Sequence, residues 1–346
     1  MSSKRWPILV LAANLAAVGV ITVCFMNLHY PMVGHDYGYV IPQLLDSALH
    51  FRIFGPSIQW YTPSFGGGLP AFPNPNNVQF SLLGLLATLF PPWHAVVYSA
   101  IIYIFVGGTG CYHLLSGPLK LHWTSGILGT VFFLANGFVM QRFAVGHHGL
   151  QTFPLIAVLF AALFTHSFPW YVSGLVFGLI AAVVIHQAGY FVAVIFGLSL
   201  SVTVPLLAIC GSHAIRWRHF VKTLSFGGAV ALLICGSKLW AVYSFMRFFP
   251  RLVSDSFDVN LATGIWGILS QLLGTMNLVP IFLMSGLNPN TLPGYMVTVT
   301  GAQCGYWEHD MSLSPVVLII LALGIYTICR HLGRHRGLFT QHKRWV

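Results

Sequence analysis

Eight stretches of this chain are long and apolar enough to read as bilayer-crossing helices, and that leaves few folds open to it. They are residues 7–26, 94–115, 124–140, 151–165, 170–186, 190–211, 223–246 and 312–329. A spanning helix needs about 20 mostly apolar residues, give or take a few. In lipid every backbone polar group must be satisfied internally, so repeated segments of this kind imply a helical bundle. Charged residues make up only 6% of the 346 and the mean hydropathy is +0.78, which excludes a soluble globular domain of this length. The expected fold is an all-α polytopic membrane protein with about eight transmembrane helices in a single domain covering 1–346. The first run follows Lys4 and Arg5. It reads as a retained helix, since it is long enough to span and no small-residue cleavage site follows it. Two further apolar stretches, 78–90 and 265–287, are cut by Pro91-Pro92 and by Pro280, and are expected to lie at the membrane surface.

Charge sets the expected orientation. With the N-terminus in the cytoplasm, eleven of the sixteen Lys and Arg fall on cytoplasmic segments, including the basic tail 330–346, and four on outer ones. All six acidic residues then lie outside. This is the positive-inside pattern, and it places both termini in the cytoplasm. The net charge of +10 reads as topology and contact with lipid headgroups, so no nucleic-acid partner is expected. The six cysteines are scattered without a C-x-x-C pair and suggest neither a disulfide framework nor a zinc site.

The outer side then holds the polar apparatus: a first loop over 27–93, a second over 247–311, and the turn Q-R-F-A-V-G-H-H-G-L at 141–150. The first loop is too polar and broken to span, yet too rich in aromatic residues to read as disordered. It is expected to be ordered, to carry interfacial helices, and to bear chemistry, as long loops often do. Its Gly66–Gly68 run looks like a phosphate cradle only superficially, because no helix with a following Lys comes after it; backbone turning explains it better.

Four local motifs, in this order and on this side of the membrane, carry a family resemblance. They are G-H-D-Y at 34–37, W-Y-T-P-S-F-G-G-G-L-P at 60–70, S-K-L-W-A-V-Y-S-F-M-R-F-F-P-R at 237–251 and Y-W-E-H-D at 306–310. With the helix order, the chain resembles the GT-C superfamily of integral-membrane glycosyltransferases, and within it the bacterial YfhO-type proteins. The resemblance implies transfer of a sugar from a polyprenyl-phosphate-linked donor to a lipid, glycan or protein acceptor at the outer face of a bacterial inner (plasma) membrane. It also implies an acidic residue near the start of the first outer loop that serves as catalytic base or metal ligand, which by position is Asp36. Many relatives have a second acid there. This chain has His35-Asp36, which leaves a divalent metal cofactor open. Many relatives are also longer, so the chain is expected to be a short form or a fragment.

The residues themselves argue for compatible chemistry. Glycosyl transfer passes through an oxocarbenium-like state and needs a carboxylate at the reacting carbon or on the acceptor hydroxyl. Asp36 supplies one, and Glu308 is placed to orient the acceptor or the base. A phosphate leaving group needs cations, for which Arg142, Lys238 and Arg251 are the candidates. His35, His147 and His148 are candidates for metal or phosphate contact. Each has a plainer reading beside it. Asp36 fits a cap on the helix beginning near Val40, Asp46 a solvated helix face, Lys238 a partner for a buried carbonyl, and the His pair ordinary polar surface. The competing functions are a non-catalytic lipid-binding or scaffold relative and a transporter of lipid-linked or small polar substrate. A transporter would typically show internal repeats and mid-span charge; no repeat is evident, and apart from Lys238 the spans are almost free of charge.

Overall fold

The computed structural model describes residues 5–26, 36–209, 215–249, 296–299 and 302–305. The expected span 312–329, the stretch 265–287, most of the second outer loop and the tail 330–346 lie outside the described residues, as do His35, Arg251 and Glu308. The chain divides into two compact units. One comprises Met1–Ala135 and Val139–Ser254, and the other Asn136–Phe138 and Asp255–Val346. In the second unit, β3 (Met296–Val299) pairs antiparallel with β4 (Ala302–Gly305). The first strand reads M-V-T-V, β-branched at three of four positions, a composition that suits a strand better than a helix. No strand was expected in that loop.

The first unit is mainly helical. In order it contains α1 (Arg5–Met26), α2 (Tyr37–Phe54), β1 (Tyr61–Thr62), the short turn α3 (Ser64–Gly67), β2 (Leu69–Pro70), α4 (Leu82–Leu89), α5 (Pro92–Ser116), α6 (Trp123–Leu134) and, from Val139 onward, α7 (Gly137–Val145). A 3-10 turn (Leu150–Leu155) then leads into α8 (Ile156–Phe164), α9 (Trp170–His186), α10 (Tyr190–Ile209) and α11 (Trp217–Phe248). Three of these, α5, α10 and α11, are long and apolar enough to cross a membrane. The Pro7–Val23 part of α1, together with α6, α9 and the segment Leu150–Phe164, counts among the shorter apolar helices. Seven of the eight expected spans therefore have a helical counterpart, two of them altered. The stretch 124–140 is broken after Leu134 into α6 and α7. The stretch 151–165 begins as a 3-10 turn, where Pro154 cannot donate to an α-helical ladder. The stretch 78–90 forms only the two-turn α4, stopped by the Pro91-Pro92 pair that starts α5.

α9 and α11 pack closely through small residues. A Cβ on Gly178 would sit 2.7 Å from the Gly227 carbonyl oxygen, and one on Gly227 2.8 Å from that of Gly174. Close backbone approach of this kind is how helices associate where hydrophobicity cannot drive them together. The core beside this pair is aromatic: Phe160 meets Phe196 edge-on at 5.2 Å, and Phe164 stacks on Phe220 at 5.9 Å. Around it large apolar side chains face outward, among them Phe191, Leu198 and Leu206 on α10 and Leu233 on α11. That surface suits hydrocarbon rather than water.

Contacts between the connections sort the helix ends into two sets. At one end, Thr22 reaches Met140, Tyr37 reaches Phe143, Phe80 packs near His186, and Lys238 of α11 reaches Phe72. At the other, the connections after α5, α8 and α10 come together, with His113, Lys120, Thr165, His166 and Arg216 around one cleft. Alternate connections thus share an end.

Candidate functional site

The described part of the first loop is ordered, and its order comes from side chains that replace missing backbone donors. β1 and β2 form a hairpin with Tyr61 opposite Pro70 and Thr62 opposite Leu69, continued by Ala71 N–H to the Trp60 carbonyl and Phe72 N–H to that of Gln59. Its tip carries four successive positive φ angles, from Phe65 at 66° to Gly68 at 93°. At Gly68 a Cβ would fall 1.7 Å from the Tyr61 hydroxyl, so both the angle and the space demand glycine. The glycine run is thus a turn device. Asp46 ties the hairpin to α2: one carboxylate oxygen accepts from Gln59 Nε2 at 2.7 Å and the other from Ser64 Oγ at 3.0 Å. It is a structural tie, where the sequence suggested only a solvated face.

Beyond the hairpin, Pro73 and Pro75 contribute no N–H, and the residues before them are biased towards extended backbone. The carbonyls of those two residues, Phe72 and Asn74, both accept from Lys238 Nζ, at 2.6 and 2.8 Å. The ammonium also lies 5.0 Å from the centre of the Phe72 ring, and the residue is 1% exposed. Lys238 is ten residues before the end of α11, about 15 Å along its axis. The loop therefore dips beside that helix and is gripped there. Of the two readings of Lys238, the described contacts fit the partner for buried carbonyls. His148 Nε2 makes a similar contact with the Asn76 carbonyl at 3.2 Å. Burial pushes the His148 imidazole down to about 4, so the ring is neutral and serves as a donor to the loop.

Asp36 stands where α2 begins. Its backbone carbonyl accepts from the amides of Tyr39 and Val40, but its side chain makes no capping bond. The carboxylate turns to the connection after α7, where Oδ2 lies 3.5 Å from His147 Nε2. Arg142, on α7, donates from Nη1 to His147 Nδ1. That bond fixes Nδ1 as the acceptor and leaves the imidazole proton on Nε2, facing Asp36. The result is a row of Arg142, His147 and Asp36 running from buried to open. Arg142 is 7% exposed, while the side chains of His147 and Asp36 are 21% and 54% exposed. Arg142 thus sits behind His147 rather than on the open surface.

Tyr37 holds this row in register. Its buried hydroxyl donates to the Phe143 carbonyl and accepts from Gln151 Nε2 at 3.0 Å, and its ring meets Trp93 edge-on at 5.0 Å. Burial raises the phenol well above its ordinary range, so it stays protonated and can donate. Gly146, with φ 86°, lets the turn press against the Tyr37 ring, where a Cβ would come within 2.7 Å. Tyr37, Gln151 and Gly146 were not singled out for a role in the sequence. The signal was the polar pairing of G-H-D-Y with V-G-H-H-G-L-Q, whose partners lie more than 100 residues apart.

Of the predicted site residues, the structure brings together Asp36, His147 and Arg142, with His148 and Lys238 holding the adjoining loop. Among the described residues no three His, Cys, Asp or Glu side chains converge as metal ligands. Beside α2 lies a cleft of about 820 Å³, lined mainly by apolar side chains including Pro42, Leu45, Leu49 and Phe90, with Arg52 among its lining residues. Leu45, Leu49 and Ile53, one turn apart, form an exposed apolar stripe on α2, as on a helix lying at a membrane surface. No known protein family, curated protein or solved structure matches this chain.

Proposed function

We propose that this protein is a membrane glycosyltransferase that moves a sugar from a polyprenyl-phosphate-linked donor to an acceptor at the outer membrane face, with Asp36 as the base. The observation that carries this reading is the Asp36 carboxylate. It is exposed, makes no capping bond, and is steered by an imidazole whose far nitrogen is fixed by Arg142. A carboxylate so placed can take the proton of an acceptor hydroxyl. His147 orients it, and Arg142, behind the imidazole, adds positive charge to the site. The apolar cleft beside α2 begins at Pro42, about 9 Å along the helix from Asp36, and offers a bed for an isoprenoid chain. Sequence motifs and geometry support the same residue independently. Both termini are assigned to the cytoplasm on the charge pattern, and a bacterial membrane is what the family resemblance implies.

A second reading, a lipid-binding protein without transferase activity, is favoured by one observation: Lys238 and Arg142, two of the proposed donor ligands, are buried and engaged within the protein. Purified protein in liposomes, incubated with polyprenyl-phosphate sugars carrying labelled hexose or pentose, separates the two. Release of polyprenyl phosphate with label appearing in an acceptor supports the transferase. Donor binding without release supports the lipid-binding reading.

A further inference from the structure

Two hollows meet at the end of the helices away from Asp36. One is an apolar groove of about 530 Å³ between α5, α8 and α9, walled by Phe105, Val106, Val158, Ala162, Val172 and Val176. The other is a cleft of about 610 Å³ framed by the connections after α5 and α8 and by the start of α11. His113, Lys120, His166 and Arg216 line it, and among the described residues no carboxylate does. The two acids among the described residues, Asp36 and Asp46, are both at or on α2, at the other end. His113 and Thr165 line both hollows, bonded to each other at 3.0 Å between Nε2 and Oγ1. From Phe105 to His113 the groove follows α5 for about 12 Å before reaching the basic cleft.

An apolar channel that opens into a cluster of cations has the chemistry of one amphipathic anion. We propose that groove and cleft form a single site for an anionic lipid with a phosphate headgroup. Its hydrocarbon lies between α5 and α9, and its phosphate lies between Lys120 and Arg216. A zwitterionic lipid would bring its own cation against these groups. A free phosphate would leave the groove unfilled. Arg suits the headgroup because its planar fork can hold two phosphate oxygens at once. The charge pattern assigns this end to the cytoplasmic leaflet, where anionic lipids attract basic side chains. The site lies at the end opposite the proposed transfer centre and does not depend on that reading.

The test is lipid titration of the full chain in detergent, read by native mass spectrometry. The probes are phosphatidic acid, phosphatidylglycerol, phosphatidylcholine and inorganic phosphate. The two anionic lipids should bind more tightly than phosphatidylcholine and far more tightly than inorganic phosphate. Lys120→Gln with Arg216→Gln should weaken them at least tenfold, since removing one charge-assisted hydrogen bond to a phosphate lowers affinity by about a decade or more. Val106→Trp, which fills the groove from α5, should weaken them too, and Val176→Trp should do so from α9 if the first variant is poorly folded. Arg218→Gln, an exposed cation at the same end but outside the cleft, should leave affinity unchanged. Unchanged lipid affinity in the double variant would overturn the proposal. So would an equal loss in Arg218→Gln, which would show unspecific surface attraction. So would inorganic phosphate binding as tightly as lipid with no effect of either Trp variant, which would make the cleft a free-anion site.

Discussion

Replacing Lys238 by methionine keeps the length of the side chain and removes its charge, so it isolates the grip of α11 on the first loop. The ammonium donates to the Phe72 and Asn74 carbonyls at 2.6 and 2.8 Å from a position 1% exposed to solvent. A hydrogen bond to a charged group contributes about 1.5–3 kcal/mol net, so two contribute about 3–6 kcal/mol. Part of this is offset, because the variant no longer keeps an ammonium out of water. The balance is a local destabilisation of about 2–4 kcal/mol, which corresponds to a roughly 30- to 700-fold rise in loop opening. Hydrogen exchange followed by mass spectrometry should show that rise in peptides covering residues 70–80, with α5 and α9 unaffected. Unchanged exchange over 70–80, together with weaker binding of a polyprenyl-phosphate analogue, would refute the reasoning and return Lys238 to the role of phosphate ligand.

Three other perturbations probe the same region. His148 is held neutral, its imidazole lowered from 6.5 to about 4 by burial, so its contribution to stability is complete above pH 6.5 and is lost as pH falls towards about 4. A shift of that size amounts to about 3 kcal/mol, and thermal melts from pH 7 to 4.5 should fall more steeply for the wild type than for His148→Gln. Gly68→Ala should cost about 1–3 kcal/mol, measured by denaturation in detergent, because φ is +93° and the new methyl meets the Tyr61 hydroxyl. Single cysteines at Ser57 and Ser167 in a cysteine-free background should react with impermeant reagents from opposite sides of the membrane, Ser57 from outside.

The helical plan was legible because hydrophobic length is a local property, and seven of the eight expected spans meet a helix. The break between α6 and α7 was missed although Asn136-Gly137, a dipeptide that favours turns, marks it, because the apolar runs on either side read as one span. Asp36 and His147 could each be picked as candidates from residue type and position. Their proximity could not, because it depends on Tyr37 spanning from α2 to α7. Lys238 shows the limit most clearly. A lone cation in an apolar helix suggests a ligand, and only the fold reveals that two carbonyls preceding prolines, more than 160 residues away, already occupy it.

The central claim is that the Asp36 carboxylate performs the transfer, and substitution to asparagine tests it most directly. Asp36→Asn keeps the shape of the side chain and the backbone bonds that start α2, and removes only the charge facing His147. Purified variant and wild type would be compared in liposomes for transfer of labelled sugar from a polyprenyl-phosphate donor, with donor affinity measured on the same samples. The account predicts a loss of about 10²- to 10⁴-fold in rate with donor affinity within a few-fold of wild type. Transfer by Asp36→Asn at close to the wild-type rate would contradict it.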